Sequence, residues 1–170
     1  RASGCQVIAI DPDKSRASLA GKLGADCFFS DEDYQSHVKK ITSNIGVDAA
    51  IITASSSSNE IVSNAMQACR RKGRVVVVGD VGLNLRRSDF YSKELDFRIS
   101  TSYGPGRYDP WYESEGQDYP YSYVRWTENR NMQAFQELIC KSFFDISFIT
   151  THTFKLNDAK KAYDLILSKD

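Results

Sequence analysis

Apolar positions along the chain fall into short continuous runs separated by stretches of helical spacing. The first run is Val7-Ile8-Ala9-Ile10. Val and Ile favour a strand buried on both faces, as in a parallel sheet. Asp11 follows, then Pro12, which pre-sets a turn, and Asp13, a good cap for the next helix. Leu19, Ala20 and Leu23 keep helical spacing, and Gly24 suits a left-handed close. Cys27-Phe28-Phe29 reads as a short buried strand. Ser30 and Asp33 form a loose capping pair before a helix with Tyr34, Val38, Ile41 and Ile45 on one face, ended by Gly46.

Val47 to Thr53 is the next apolar strand, followed by Ala54 and a serine run. Ser57-x-x-Glu60 is a capping-box pattern, worth about 1 kcal/mol to a helix start. That helix turns Ile61, Val62, Ala65, Met66 and Cys69 inward and stops before Gly73. Val75 to Val78 is the most apolar run, and burying each valine contributes roughly 1.5–3 kcal/mol, so this strand belongs in the sheet interior. Gly79-Asp80-Val81-Gly82 turns the chain, and Phe97 to Tyr103 is a further candidate strand. Strand and helix alternate, which implies an α/β fold with parallel strands and right-handed crossovers.

In such a sheet, an acid just past a strand's carboxyl end is placed to accept hydrogen bonds from both hydroxyls of an adenosine ribose. Asp11 then closes the second strand of a Rossmann-type, doubly wound sheet. The alternative is that Asp11 only starts a turn.

From Gly104 to Trp126 the pattern changes. Tyr103, Tyr108, Trp111, Tyr112, Tyr119, Tyr121, Tyr123 and Trp126 crowd together with Pro105, Pro110 and Pro120. Little regular structure is expected there, yet so many rings pack on something rather than lie in water. Helical spacing returns from Thr127 to Ser142 through Met132, Phe135, Leu138 and Ile139. Phe148 to Phe154 reads as a strand, and Asn157 as the cap of a last helix with Ala159, Ala162, Tyr163 and Ile166 on one face. These shifts divide the chain into a partial nucleotide-binding unit at 1–104, an aromatic, proline-rich loop at 105–130 and a helix-strand-helix return at 131–170.

Composition narrows the function classes. With 41% hydrophobic and 26% charged residues the chain is an ordinary globular one, and 22 basic residues balance 22 acidic ones. No overall field draws it to nucleic acid or to an anionic membrane. The cluster Arg70, Arg71, Lys72 and Arg74 sits where a helix should end and complements its dipole in solvent, phosphate binding being the alternative. Cys5, Cys27, Cys69 and Cys140 have no metal-ligand spacing, and His37 and His152 lack neighbouring ligands. No stretch reaches transmembrane length and no signal peptide is present, so a cytoplasmic chain is the expectation. The chain opens without methionine, as a fragment would.

The landmarks IDPDKSR at 10–16, LGAD at 23–26, GVDAAIITAS at 46–55, KGRVVVVGDVG at 72–82 and THTFKLNDAKKAYDLI at 151–166 appear in an order that resembles the cofactor domain of zinc-type, medium-chain alcohol dehydrogenases. The segments STSYGPGRYDPWY at 100–112 and YPYSYVRWTENRNM at 119–132 resemble bacterial two-domain oxidoreductases that join such a half to a glucose–fructose oxidoreductase-like half. The resemblance implies NAD(H) as cofactor, with Asp11 on the adenosine ribose and Arg16 at the same hydroxyls; the acid favours NAD over NADP, and Arg16 counts towards NADP. Thr53 and Ala54 would flank the adenine. Val78, Gly79 and Asp80 would lie along the nicotinamide side through backbone groups, and Ser102 and Tyr103 would face the nicotinamide or substrate. It also implies a sugar or polyol substrate, a homo-oligomer, and zinc only in an amino-terminal domain outside this chain. Arg107, Arg125 and Glu128 are candidates for substrate contact, or else ion-pair partners that anchor the loop.

No G-x-G-x-x-G occurs in the chain. In the resembled fold the first strand and its glycine-rich turn, which holds the pyrophosphate, would precede Arg1. Losing two or three charge-assisted bonds removes roughly 3–9 kcal/mol, and micromolar affinity is only about 8 kcal/mol. Weak NAD binding by this chain follows. The absent strand is central in the order 3-2-1-4-5-6, so either its two neighbours pair directly or an edge stands open, to be closed by rearrangement or dimerisation. Two other function classes share the ribose carboxylate: a non-catalytic nucleotide-sensing module and a methyltransferase. The return helix at 157–168 speaks against the first, and the lack of a reversed final hairpin against the second.

Overall fold

The computed structural model describes residues 3–29, 33–143 and 145–168. Its elements run β1 (Ile8–Ile10), α1 (Lys14–Lys22), β2 (Cys27–Phe29), α2 (Tyr34–Ile41), β3 (Val47–Ile52), α3 (Glu60–Ala68), β4 (Cys69–Val77), α4 (Arg87–Phe90), β5 (Asp96–Ile99), α5 (Pro110–Glu113), α6 (Glu128–Cys140) and α7 (Ala159–Ser168). All strand pairs are parallel. They form two sheets, β1-β2 and β3-β4-β5. Among the described residues β1 does not pair with β3, so of the two alternatives it is the open edge that is found, on two separate ladders. The halves meet through α2 and α3, where Gln35 Nε2 donates to the Asn64 carbonyl at 2.7 Å.

The core lies in the second half. Val75 and Val77 of β4 stand in register with Ala50 and Ile52 of β3 and with Phe97 and Ile99 of β5. This face receives Val62 and Met66 of α3, both fully buried. The other face carries Ala49, Ile51, Arg74, Asp96 and Arg98. Ile51 is 68% exposed there, and Arg74 and Arg98 both pair with Asp96. Before residue 47 the only buried apolar residues among those described are Ala17 and Val38.

Several expectations are corrected. The basic cluster lies on β4 rather than at a helix end: Arg70 pairs with Asp48, and Arg71 and Lys72 pair with Glu94. Lys93 takes the helix-end role, donating to the carbonyls of Met66, Gln67 and Cys69. α2 stops at Ile41 because Thr42 Oγ1 captures the Gly46 amide, so exposed Ile45 leaves the helical face. The capping box at Ser57 and Glu60 does not form. Ser58 Oγ accepts the Glu60 amide instead, because Ser56 is pulled into a bridge with Val81. Ser30 of the other capping pair lies outside the described residues.

The strand over Phe148–Phe154 is absent. Its residues form a turn and exposed extended chain with no neighbouring ladder to pair with, so periodicity alone is insufficient. The unit at 131–170 is therefore not helix-strand-helix. α6 also crosses the boundary drawn at 130, and Asn157 sits inside a 3-10 turn at Leu156–Asp158 rather than capping α7. β5 ends at Ile99, short of Tyr103.

Candidate functional site

Asp11 stands just past the carboxyl end of β1, where its amide still donates to the Phe29 carbonyl at 3.1 Å. Its Oδ1 accepts the Asp13 amide at 2.9 Å. The side chain thus does begin a turn, and it does so with one oxygen; Oδ2 makes no hydrogen bond or ion pair with any described residue. Asp13 caps α1 by accepting from the amides of Ser15 and Arg16. The Ser15 hydroxyl and these amides hold its carboxyl below the usual aspartate value. Arg16 projects into solvent, its nearest carboxylate being Asp13 at 4.0 Å.

At the carboxyl ends of β3 and β4 two loops are laced together. The amides of Val78 and Gly79 donate to the Ile52 carbonyl at 2.8 and 2.9 Å. Ser56 N donates to the Asp80 carbonyl at 2.8 Å, and Gly82 N to the Ser56 carbonyl at 3.2 Å. A Cβ on Gly79 would meet the carbonyl carbons of Thr53 and Ala54 at 2.8 Å and the Ala54 oxygen closer still. Glycine is required here by close approach of two backbones. The structure therefore brings Thr53, Ala54, Val78, Gly79 and Asp80 into one ledge. Asp11 stands at the end of the other sheet.

Asn59 extends the ledge, a role the sequence pattern did not assign. Its Oδ1 accepts the Asn84 amide at 2.9 Å and lies against Gly82. Below it, buried Ser63 donates to Asp89 Oδ2 at 2.7 Å and accepts from Arg86 and Gln67. Arg86 also pairs with Asp89 and Glu60. The only cue in the sequence was Asn59 as a helix-capping residue type.

Ser102 follows β5 in a left-handed conformation (φ 45°), and exposed Tyr103 offers its carbonyl to Asn131 Nδ2 at 3.0 Å. Beyond them the aromatic segment is tied to itself. Tyr112 donates to Thr127 Oγ1 at 3.0 Å and accepts the Asn129 amide at 3.2 Å. Tyr119 stacks on Tyr112 with centroids 5.5 Å apart and donates to Asp109, a bond that raises the Tyr119 pKa. Arg107 pairs with Glu113 and lies over the Tyr108 ring at 4.4 Å. Arg130 binds Asp118 and the carbonyls of Tyr119 and Val124. Glu128 starts α6, with its amide on the Pro105 carbonyl and Oε2 buried without a partner among the described residues. It lines a cleft of about 520 Å³ with Tyr112, Glu113, Asp118, Asn129 and Met132. Among the described residues no group of three or more His, Cys, Asp or Glu could hold a metal ion. No helix there is long and apolar enough to cross a membrane.

A family model described as zinc-binding dehydrogenase matches residues 1–114, two thirds of the chain. The chain belongs to that family. Membership in the zinc-binding dehydrogenases implies a nicotinamide-nucleotide role for the parallel sheet and its loops. Among solved structures, alcohol dehydrogenase TADH from Thermus sp. ATN1 is similar over 96% of this chain and 41% of its own, with 22% identity and a TM-score of 0.64. The alcohol dehydrogenase of Aeropyrum pernix matches over 97% and 40%, with 19% identity and a TM-score of 0.64. Benzyl alcohol dehydrogenase from Acinetobacter calcoaceticus matches over 93% and 38%, with 21% identity and a TM-score of 0.62. These likenesses show the fold, and the chain spans about two fifths of the length of each of these relatives. No curated protein sequence matches it.

Proposed function

We propose that this chain is the nucleotide-binding part of an NAD(H)-linked dehydrogenase acting on a secondary alcohol or carbonyl, of sugar or polyol class, in a homo-oligomer. Bound nicotinamide would supply the hydride acceptor or donor. The residues' part is to seat it. Asp11 Oδ2 receives a ribose hydroxyl, and the carboxylate repels a 2′-phosphate, which favours NAD over NADP. Thr53 and Ala54 border the adenine, and Val78, Gly79, Asp80 and Ser102 line the nicotinamide side through backbone groups. Tyr103, Arg107, Arg125 and Glu128 belong to the side from which substrate approaches. Any zinc, and any glucose–fructose oxidoreductase-like half, would belong to other parts of a longer protein. A cytoplasmic setting suits this chemistry.

The observation that carries this reading is Asp11, at the tip of a parallel strand with one carboxylate oxygen engaged by its own turn and the other unbonded among the described residues. The test is amide NMR of the chain with adenosine and with 2′-deoxyadenosine. Adenosine should shift residues 11–16 and 53–56, with the response lost in Asp11→Ala and reduced for the deoxy analogue. Equal responses to both nucleosides, or shifts elsewhere only, would overturn it. NADH itself should bind more weakly than micromolar, because no glycine-rich turn in the sequence cradles its pyrophosphate.

A further inference from the structure

The three arginines of the aromatic segment are used differently. Arg107 is neutralised by Glu113. Arg130 is held by Asp118 and two main-chain carbonyls, and its guanidinium carbon also lies 5.0 Å from the Tyr121 centroid. Arg125 makes no hydrogen bond and no ion pair with any described residue. Its guanidinium carbon instead lies 3.9 Å from the Trp126 ring centroid and 4.7 Å from that of Tyr121.

Ring faces attract a cation and restrict its motion, yet they leave its five N–H donors without in-plane acceptors. The result is a positioned, uncompensated charge whose fork matches a carboxylate or phosphate through two parallel bonds. Tyr121 and Trp126 remain 56% and 48% exposed, so apolar surface is present beside the fork for the carbon body of a ligand. A nucleic acid is disfavoured as occupant. From Tyr103 to Asn131 the carboxylates of Asp109, Glu113, Glu115, Asp118 and Glu128 outnumber the arginines, and a polyanion would be repelled.

We infer that Arg125, held over Tyr121 and Trp126, is the anion-receiving group of a binding site for a small molecule bearing a carboxylate or a phosphate. The inference rests on the substrate side of the proposed function, to which Arg125 belongs, and adds the charge class of what that side receives; it does not depend on the seating of a ribose at Asp11.

The test is side-chain NMR of the full chain, following Arg125 Nε–H and the Trp126 indole N–H. Sodium phosphate, acetate and glucuronate are titrated at constant ionic strength, with chloride as the control. A saturable shift of both signals is expected with phosphate or with a carboxylate, and the anion that saturates first identifies the group. Binding should weaken about tenfold or more in Arg125→Ala. It should also weaken several-fold in Arg125→Lys, which keeps the charge and loses the fork. Arg125→Lys carries the comparison if the alanine variant fails to fold by circular dichroism. An equal response to chloride, no saturable response, or a response surviving both substitutions would overturn the site. The adenosine response at residues 11–16 should be unchanged in Arg125→Lys, so the two readings fail separately.

Discussion

Gly79 and Ala54 touch backbone to backbone, with no room for a side chain between the loops that follow β4 and β3. Both contacting groups are main chain, so relief requires the loops themselves to part. Gly79→Ala should therefore cost about 1–3 kcal/mol. It should lower the thermal midpoint and weaken adenosine binding together. A variant that melts with the parent would show that the loops yield freely.

Lys93 closes α3 by donating to the carbonyls of Met66, Gln67 and Cys69. These carbonyls have no helical partner, because Cys69 already belongs to β4. Lys93→Met keeps the stem and removes the donors, and should destabilise by about 1–3 kcal/mol in urea titration. Lys93→Arg should recover part of the loss.

The Ser63 hydroxyl and the Arg86 guanidinium hold the Asp89 carboxyl below its ordinary value of 3.8. A depressed carboxyl binds its proton less readily folded than unfolded. Its contribution is thus present above the unfolded value and fades as pH falls through about 4 and below. Urea midpoints should drop as the pH falls from 5 to 3, and Asp89→Asn should flatten part of that slope. An unchanged slope would place the acid sensitivity elsewhere.

Thr127 is fully buried, caps α6 and receives the Tyr112 hydroxyl. Thr127→Val should cost about 1–3 kcal/mol through the lost cap and an unsatisfied phenol. Tyr112→Phe should cost less when Thr127→Val is already present than in the parent, because the phenol has then lost its acceptor. A double-mutant cycle in urea reads this coupling directly, and strictly additive losses would show that the two groups act separately.

Local chemistry carried much of the fold in the sequence. The β1 and β2 runs, the turn at Gly24, the Asp13 cap and the buried valines of β4 all follow from side-chain type and period. What was illegible depended on partners distant in the chain. Phe148–Phe154 has strand periodicity and finds no ladder. Arg70, Arg71, Lys72 and Arg74 read as a helix end until Asp48, Glu94 and Asp96 are seen beside them. The candidate site divided in the same way. Asp11 and Gly79 were visible as types at strand ends, whereas Asn59, Ser63 and Arg130 act through residues 12 to 26 positions away. The self-bonding of the aromatic segment was hidden because it rests on hydroxyl and guanidinium geometry, which hydrophobic periodicity does not encode.

The absence of a shared ladder between β1 and β3 gives the two halves separate fates. The described residues before 47 bury little apolar surface of their own, while the valine-rich half holds the core. The weaker half can melt as a subglobal unit while the stronger one persists, and it is the half that carries Asp11. If adenosine engages that residue, saturation and local folding become a single event. Hydrogen exchange at residues 8–29 should then slow with nucleoside concentration, while exchange at 75–77 stays constant.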